Sequence, residues 1–341
     1  MMYARRPRAV LLLLLCLLAV ASLLQWRTIP YRAQRWLGLE SSGFERAPAS
    51  VLQAAREISV YRKPLPITNG QRRSTHIIQS NSNARADGVT DMEHFIGAVT
   101  LVVKHMSAYR KEHMSKLHAS IRRWFPQVHV IVGDDTYDDT TPPPSWASHP
   151  QTTLVALPND CGLALGRNIL VQMTKTRYVV ILEDDFVFTR TTELQAMFTT
   201  LENNPAVAVV GGGLEDKKTV GTFQSYGKDI NVNNGGDVFF TPSTVPFQGA
   251  CRRVDIVYNF FMARTEKLRA YPWNHKLKVG EHEAFFMQLW LQNQIVLECT
   301  NVKVFHNTTR STSYKRTSHR YYMHEYARHV CSQFHYLATV R

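Results

Sequence analysis

From Ile96 onward, apolar positions fall into short blocks separated by polar turns. Val99 to Val103 predicts a strand. Arg110 to Phe125 predicts a helix, with Met114, Leu117, Ile121 and Trp124 spaced onto one face. Val128 to Val132 is apolar except for His129, as in a strand covered on both faces, and it ends in Gly133-Asp134-Asp135. The segment Thr140 to His149, with Pro142, Pro143 and Pro144, predicts a loop. Leu163 to Met173 reads as a helix, and Tyr178 to Leu182 as a second buried strand ending in Glu183-Asp184-Asp185. Thr192 to Leu201 is helical in pattern, and Ala206 to Val210 is a strand followed by three glycines. Alternating strands and helices predict an α/β fold with a mostly parallel, Rossmann-like sheet flanked by helices. Ligands of such sheets bind beyond the carboxyl ends of the strands, where Asp134, Asp135, Glu183, Asp184 and Asp185 all fall.

The pattern before Ile96 differs. Ala9 to Leu24 is an apolar run of 16 residues, preceded by Arg5, Arg6 and Arg8 and followed by Trp26 and Arg27. A basic flank on that side turns the N-terminus toward the cytosol. Ala19-Val20-Ala21 resembles a signal-peptidase site, but Leu23 and Leu24 extend the apolar run past it with no polar segment between. The expectation is an uncleaved signal-anchor, short for a spanning helix and suited to the thinner membranes of the early secretory pathway. Residues 27–94 lack sustained periodicity and read as a stem. The expected organisation is a cytosolic tail at 1–8, an anchor at 9–26, a stem at 27–94 and a lumenal body at 95–341. The sequon Asn307-Thr308-Thr309 is compatible with a lumenal body.

Composition narrows the classes. A chain of 341 residues with 44% hydrophobic positions is not mostly disordered. The net charge of +13 favours acidic partners, among them sialylated or sulfated glycans and nucleotide phosphates. Nucleic acid is set aside, because none of the usual binding motifs is present. Cys16 lies in the apolar run, and Cys161, Cys251, Cys299 and Cys331 form no CxxC pair, so no zinc site is expected. In an oxidising lumen these four permit up to two disulfides, with the connectivity open.

Three adjacent carboxylates after a buried strand repel one another and are costly unless a cation neutralises them. A hard divalent cation, Mn²⁺ or Mg²⁺, binds such oxygens and bridges to a nucleotide diphosphate. The segment Gly162 to Asn168 opens a helix, where free amides and the Arg167 guanidinium suit a phosphate or a base edge. Gly280-Glu281-His282-Glu283 offers two candidates, Glu281 and Glu283, for a carboxylate base acting on an acceptor hydroxyl. His306 follows the strand-like stretch Val302 to Phe305 and is a candidate to complete a metal shell. His319, His324 and His329, interleaved with Tyr and Arg, read equally as a basic C-terminal segment near the diphosphate or as plain surface.

Taken in order, these residues resemble the β-1,4-N-acetylgalactosaminyltransferases that build gangliosides and related blood-group glycans. The resemblance runs from Val99 to His306. It rests on Val99-Thr100, Ser120 to Arg123, Asp134-Asp135, Gly166-Arg167-Asn168, Glu183 to Phe188, Val210-Gly211-Gly212, Asn259 to Thr265, Phe285-Phe286 and His306. It implies a nucleotide-sugar transferase of GT-A fold, a Golgi type II membrane enzyme using UDP-GalNAc and manganese with inversion. On that model Asp134, Asp135, Arg167, Asn168, Glu183 and Asp184 bind the donor. Asp185, with His306, holds the metal. Asp255 and Asn259 line the acceptor side, and Glu281 or Glu283 is the base. Glu183 stands where those enzymes carry Asp, and Gly280 to Glu283 matches them loosely. The chain is shorter than those enzymes, leaving open the acceptor, on lipid or protein, and a homodimer. Two alternatives stand beside this reading: the same fold using UDP-GlcNAc, UDP-galactose or UDP-glucuronate, and a non-catalytic Golgi glycan-binding protein.

Overall fold

The structure, a computed structural model, describes residues 44–57, 88–137, 142–216, 219–232, 238–275, 277 and 280–307. No helix among them is long and apolar enough to cross a membrane. The run Ala9 to Leu24, Cys331 and the C-terminal histidines lie outside the described residues.

One large sheet organises the chain. From edge to edge it runs β1 (Phe44–Arg46), β4 (Thr152–Ala156), β3 (His129–Asp134), β2 (Val99–His105), β5 (Tyr178–Glu183), β12 (Phe261–Arg264), β7 (Val207–Asp216), β13 (Ile295–His306) and β11 (Cys251–Val254). Neighbours from β1 to β5 are all parallel. β12 is then antiparallel to both β5 and β7, β13 is parallel to β7, and β11 is antiparallel to β13. The mostly parallel sheet expected from sequence is therefore a mixed one. The strand–helix alternation that predicts parallel strands stops after Val210. From there to β12 the described chain is strand and turn, including β8 (Thr219–Gln224) along β7 and a separate pair, β9 (Lys228–Val232) and β10 (Val238–Pro242).

Both sheet faces are covered, so the central strands are apolar at nearly every position. Along β2 and β5, Val102, Val179 and Ile181 face one core, which includes α4 (Gly162–Met173), α6 (Thr265–Ala270) and α7 (Glu281–Leu291). Leu101, Val103, Val180 and Leu182 face the other, which includes α2 (Gly88–Ala98), α3 (Ser107–Trp124) and α5 (Leu194–Asn203). On α3, Met114, Leu117 and Ile121 are fully buried, each worth about 1.5–3 kcal/mol. Trp124, expected on the same stripe, is 39% exposed, and Phe125 takes the buried place where the helix ends. α3 begins three residues before the expected Arg110, and Arg110 itself is a non-helical kink (φ −134°, ψ 22°).

Part of the expected stem belongs to this fold. β1 pairs in parallel with β4, and Val51 and Leu52 of α1 (Ala49–Glu57) pack on the α4 side of the core. β7 runs on through its glycines to Asp216 instead of stopping at Val210. A Cβ on Gly212 would meet the Phe260 ring at 2.6 Å and the Val302 carbonyl oxygen at 2.7 Å, so the close approach of these segments needs glycine. Cys251 and Cys299, directly opposite across β11 and β13, form a disulfide. Cys161 is a free, buried thiol, pushed up to about 12 by burial and by Asp135.

Candidate active site

The carboxyl ends of β2, β3 and β5 supply most of the site. β5 ends in Glu183, and the chain turns at once into β6 (Phe186–Val187), which pairs antiparallel with the last residues of β13. That register sets His306 opposite Phe186 and brings the imidazole beside Asp185, Nε2 to Oδ2 at 3.2 Å. Asn307 N donates to the Asp185 carbonyl at 2.8 Å and locks the same corner. Asn307, the sequon residue, is 6% exposed, a poor position for a glycan on the folded chain.

Glu183, Asp185 and His306 each present a ligand atom within 4.8 Å of one another. Asp185 Oδ1 is buried without a hydrogen-bond partner. An orphaned carboxylate oxygen on a residue grouped with a second carboxylate and an imidazole fits a divalent cation of the Mn²⁺ or Mg²⁺ type. Burial acts to raise the Asp185 carboxyl, but the His306 hydrogen bond and the Arg110 charge outweigh it and hold the group below its usual range. Burial likewise acts to lower His306, and Asp185 and Glu183 outweigh it, so the imidazole is raised. Burial raises Glu183 against the pull of Arg167.

Asp184 points away from this cluster. It is 5% exposed, with Oδ2 on His105 Nδ1 and Oδ1 on Arg110 Nε, each at 2.8 Å. Its two oxygens are thus engaged by His105 and Arg110 inside the protein. Asp134 and Asp135 are also buried braces. Asp134 Oδ1 accepts from Ser107 N, Thr136 N and Thr136 Oγ1, tying the end of β3 to the start of α3. Asp135 accepts from Lys104 Nζ at 2.5 Å and from Gly162 N at 3.3 Å, tying β2 to α4.

Arg167 and Asn168 follow the same pattern. Arg167 is 1% exposed, donates to Glu281 at 2.7 Å and lies 3.9 Å from Glu183. In this structure it braces two acidic groups, Glu281 and Glu183. Asn168 grips the Trp273 backbone, donating to its carbonyl at 2.8 Å and accepting from its N–H at 3.0 Å, so its amide is committed to the fold.

Gly280, left-handed at φ 76°, turns the chain into α7 and splays three consecutive side chains. Glu281 goes inward to Arg167. His282 Nδ1 meets Asn259 Oδ1 at 2.6 Å, and Asn259 Nδ2 donates to Glu183 Oε1 at 2.9 Å. Asn259 thus links α7 to the acidic cluster, whereas the sequence reading put it on the acceptor side. Burial, with Arg167 and Lys228, lowers His282 to about 3, leaving it neutral. Glu283 is half-buried and accepts from the Tyr226 hydroxyl at 3.4 Å. Asp255, also expected on the acceptor side, accepts from Ile230 N at 2.9 Å and fastens β9.

Sequence reasoning missed His105, Arg110 and Tyr226. His105 could have been found, since it ends β2 as Asp134 ends β3. Arg110 and Tyr226 carry no local signal; they arrive through a helix kink and through the Ser225–Gly227 turn. That turn hangs on Glu298, fully buried, which accepts from Ser225 Oγ, Tyr226 N, Gly227 N and Arg252.

The model of glycosyl transferase family 2 matches residues 105–306, the span that carries Glu183, Asp185, His306, Glu281 and Glu283. The chain belongs to glycosyl transferase family 2. Among curated family relatives, human beta-1,4 N-acetylgalactosaminyltransferase 1 is 32% identical over 217 residues, covering 61% of this chain and 38% of that protein. Mouse beta-1,4 N-acetylgalactosaminyltransferase 2 is 28% identical over 212 residues, covering 61% and 39%. The match therefore spans less than two-fifths of these relatives. Among solved structures, S. aureus TarS 1-349 has a TM-score of 0.44 at 14% identity, covering 61% of this chain and 60% of that one.

Proposed function

We propose that this family 2 chain is a metal-dependent, inverting glycosyltransferase that moves N-acetylgalactosamine from UDP-GalNAc to a glycan acceptor, β-1,4 onto galactose. The observation that carries the metal-dependent reading is the Glu183, Asp185 and His306 cluster with its orphaned Asp185 oxygen. The sugar rests on the similarity to beta-1,4 N-acetylgalactosaminyltransferases.

Asp185, His306 and Glu183 would hold the divalent cation, which when bound supplies positive charge for the departing diphosphate. Asn259 keeps Glu183 aimed into the cluster, and the half-buried Glu283 is the base. Its carboxylate takes the acceptor hydroxyl proton as that oxygen bonds to the anomeric carbon and the bond to UDP breaks with inversion. Glu281 is unsuited to this, held in a buried pair with Arg167. The setting we propose is the Golgi lumen, behind a single-pass type II anchor. The basic flank of Ala9 to Leu24 and the Cys251–Cys299 disulfide support it.

The test is UDP release by the full chain across a panel of UDP-sugars, with Mn²⁺ or EDTA, beside Asp185→Ala. A fragment beginning at residue 95 is the wrong reagent, because it removes β1 and α1 from the fold. Metal-dependent turnover of UDP-GalNAc, lost in Asp185→Ala, is the expected result. Turnover of a different UDP-sugar would reassign the donor. Folded protein that neither binds nor turns over any donor would leave a glycan-binding protein.

A further inference from the structure

The acidic strand end already contains a positive charge. Arg110 Nη2 lies 2.6 Å from Asp185 Oδ2, and its Nε lies 2.8 Å from Asp184 Oδ1. The groups form a chain of alternating character: His105, Asp184, Arg110, Asp185, His306. Within it the exposures differ. Asp184 is buried under His105, whereas Arg110 keeps 26% of its side chain exposed.

The backbone shows how Arg110 gets there. It is the residue at which α3 departs from helical geometry. The turn before it is pinned at Ser107 and Ala108, through Asp134 and Thr136. The kink lets the side chain reach back to the end of β5. An arginine that spanned the site only as a structural brace would be expected to satisfy its donors. Arg110 Nε is buried yet makes no well-formed hydrogen bond. Its contact with Asp184 is an ion pair at short distance with poor direction.

We propose that Arg110 is an internal counter-ion for the metal site, neutralising Asp185 in the donor-free protein and passing to the donor diphosphate when metal and nucleotide enter together. This rests on the metal-dependent reading above. A guanidinium 2.6 Å from Asp185 opposes a divalent cation on the same carboxylate. A nucleoside diphosphate supplies oxygens that suit the planar fork better than a carboxylate shared with a cation. Binding of metal alone is therefore weak, and binding of metal with nucleotide is strongly favoured. The device discourages a bare cation from occupying the site without donor.

The experiment is titration of the full chain with Mn²⁺ alone, following free Mn²⁺ by electron paramagnetic resonance, then with Mn²⁺ and UDP. Wild type, Arg110→Gln, Arg110→Lys and Asp185→Asn are compared, each checked by thermal melting. Removing the charge in Arg110→Gln is expected to tighten Mn²⁺ alone on the order of tenfold and to weaken UDP in the presence of Mn²⁺. These opposite signs are the signature, since a damaged site loses both. If Arg110→Gln does not fold, Arg110→Lys decides: with charge kept and fork lost, UDP weakens while Mn²⁺ alone changes little. Unchanged or weaker Mn²⁺ affinity in a folded Arg110→Gln overturns the proposal while leaving the metal site intact. Asp185→Asn binding Mn²⁺ as well as wild type overturns the metal reading itself, and the proposal with it.

Discussion

Arg167 and Glu281 form a buried ion pair across the base of the site, Nη1 to Oε1 at 2.7 Å, with 1% and 3% of the residues exposed. The guanidinium also lies over the Trp273 ring, 5.8 Å from its centroid. The pair joins α4 to the first turn of α7, and so fixes the direction in which His282 and Glu283 leave the helix. Two glutamates two residues apart are thereby given different jobs.

The first prediction separates those jobs. Glu281→Gln leaves the Arg167 charge buried with Glu183 at 3.9 Å as its nearest anion, and is expected to cost roughly 3–5 kcal/mol of stability. Glu283→Gln, at a half-buried position, is expected to leave the melting temperature nearly unchanged and to lower kcat by about 10²–10⁴-fold. Thermal melting and steady-state UDP release on both variants check this. A stable Glu281→Gln with abolished turnover beside an active Glu283→Gln would exchange the two roles.

The sequence was most legible where burial is two-sided and local. β2, β3 and β5 are apolar runs that end in charge, and their ends are where the site lies. The sequence reading set Asp185 and His306 together as metal ligands but gave Glu183 to the donor, whereas the structure groups all three. The inner roles were not legible, because motif and burial point different ways. Asp134, Asp135, Arg167 and Asn168 sit in ligand-like motifs, yet the fold spends them on backbone amides and buried partners. No local pattern reveals that, since the partners lie as far as 114 residues away. β1 is a three-residue edge strand, and β4 beside it begins with two half-buried threonines, so neither carries a long apolar run to read.

Gly212 tests whether the close approach of β7, Phe260 and β13 is needed. Gly212→Ala places a methyl 2.6 Å from the Phe260 ring and 2.7 Å from the Val302 carbonyl oxygen, a backbone atom that yields poorly. A cost of about 1–3 kcal/mol is expected. Because β13 carries His306 into the site, Mn²⁺ affinity should fall with stability. Chemical denaturation and Mn²⁺ titration measure the two, and an Ala variant as stable as wild type would show that the segments can separate at no cost.

The Cys251–Cys299 disulfide closes a separation of 48 residues between directly opposed strand positions. Its loss in Cys251→Ser/Cys299→Ser is expected to cost about 2–4 kcal/mol. Cys299 follows Glu298, on which the Ser225–Gly227 turn and Tyr226 depend. The variant should therefore also weaken whatever Tyr226 and Glu283 contribute to turnover. A melting curve unaffected by reductant would contradict the stability claim, and unchanged kcat in a destabilised variant would contradict the link to Tyr226.

A pH dependence follows from His118 on α3. Its side chain is 5% exposed, and Nε2 lies 2.9 Å from Thr152 Oγ1 of β4. Burial lowers the imidazole to about 4, with Arg122 and His149 adding to the effect. An unfolded histidine titrates near 6.5, so between these values the unfolded chain binds the extra proton and the folded chain does not. Stability from this group is complete above about 6.5 and is lost as pH falls toward about 4. Below that it changes no further. The expected loss across the window is of order 1–3 kcal/mol. His118→Gln keeps a hydrogen-bonding amide at Thr152 and removes the titration. Its melting temperature, plotted against pH, should fall less steeply than that of wild type through this window. Parallel curves would mean that His118 takes up its proton without unfolding the contact between α3 and β4.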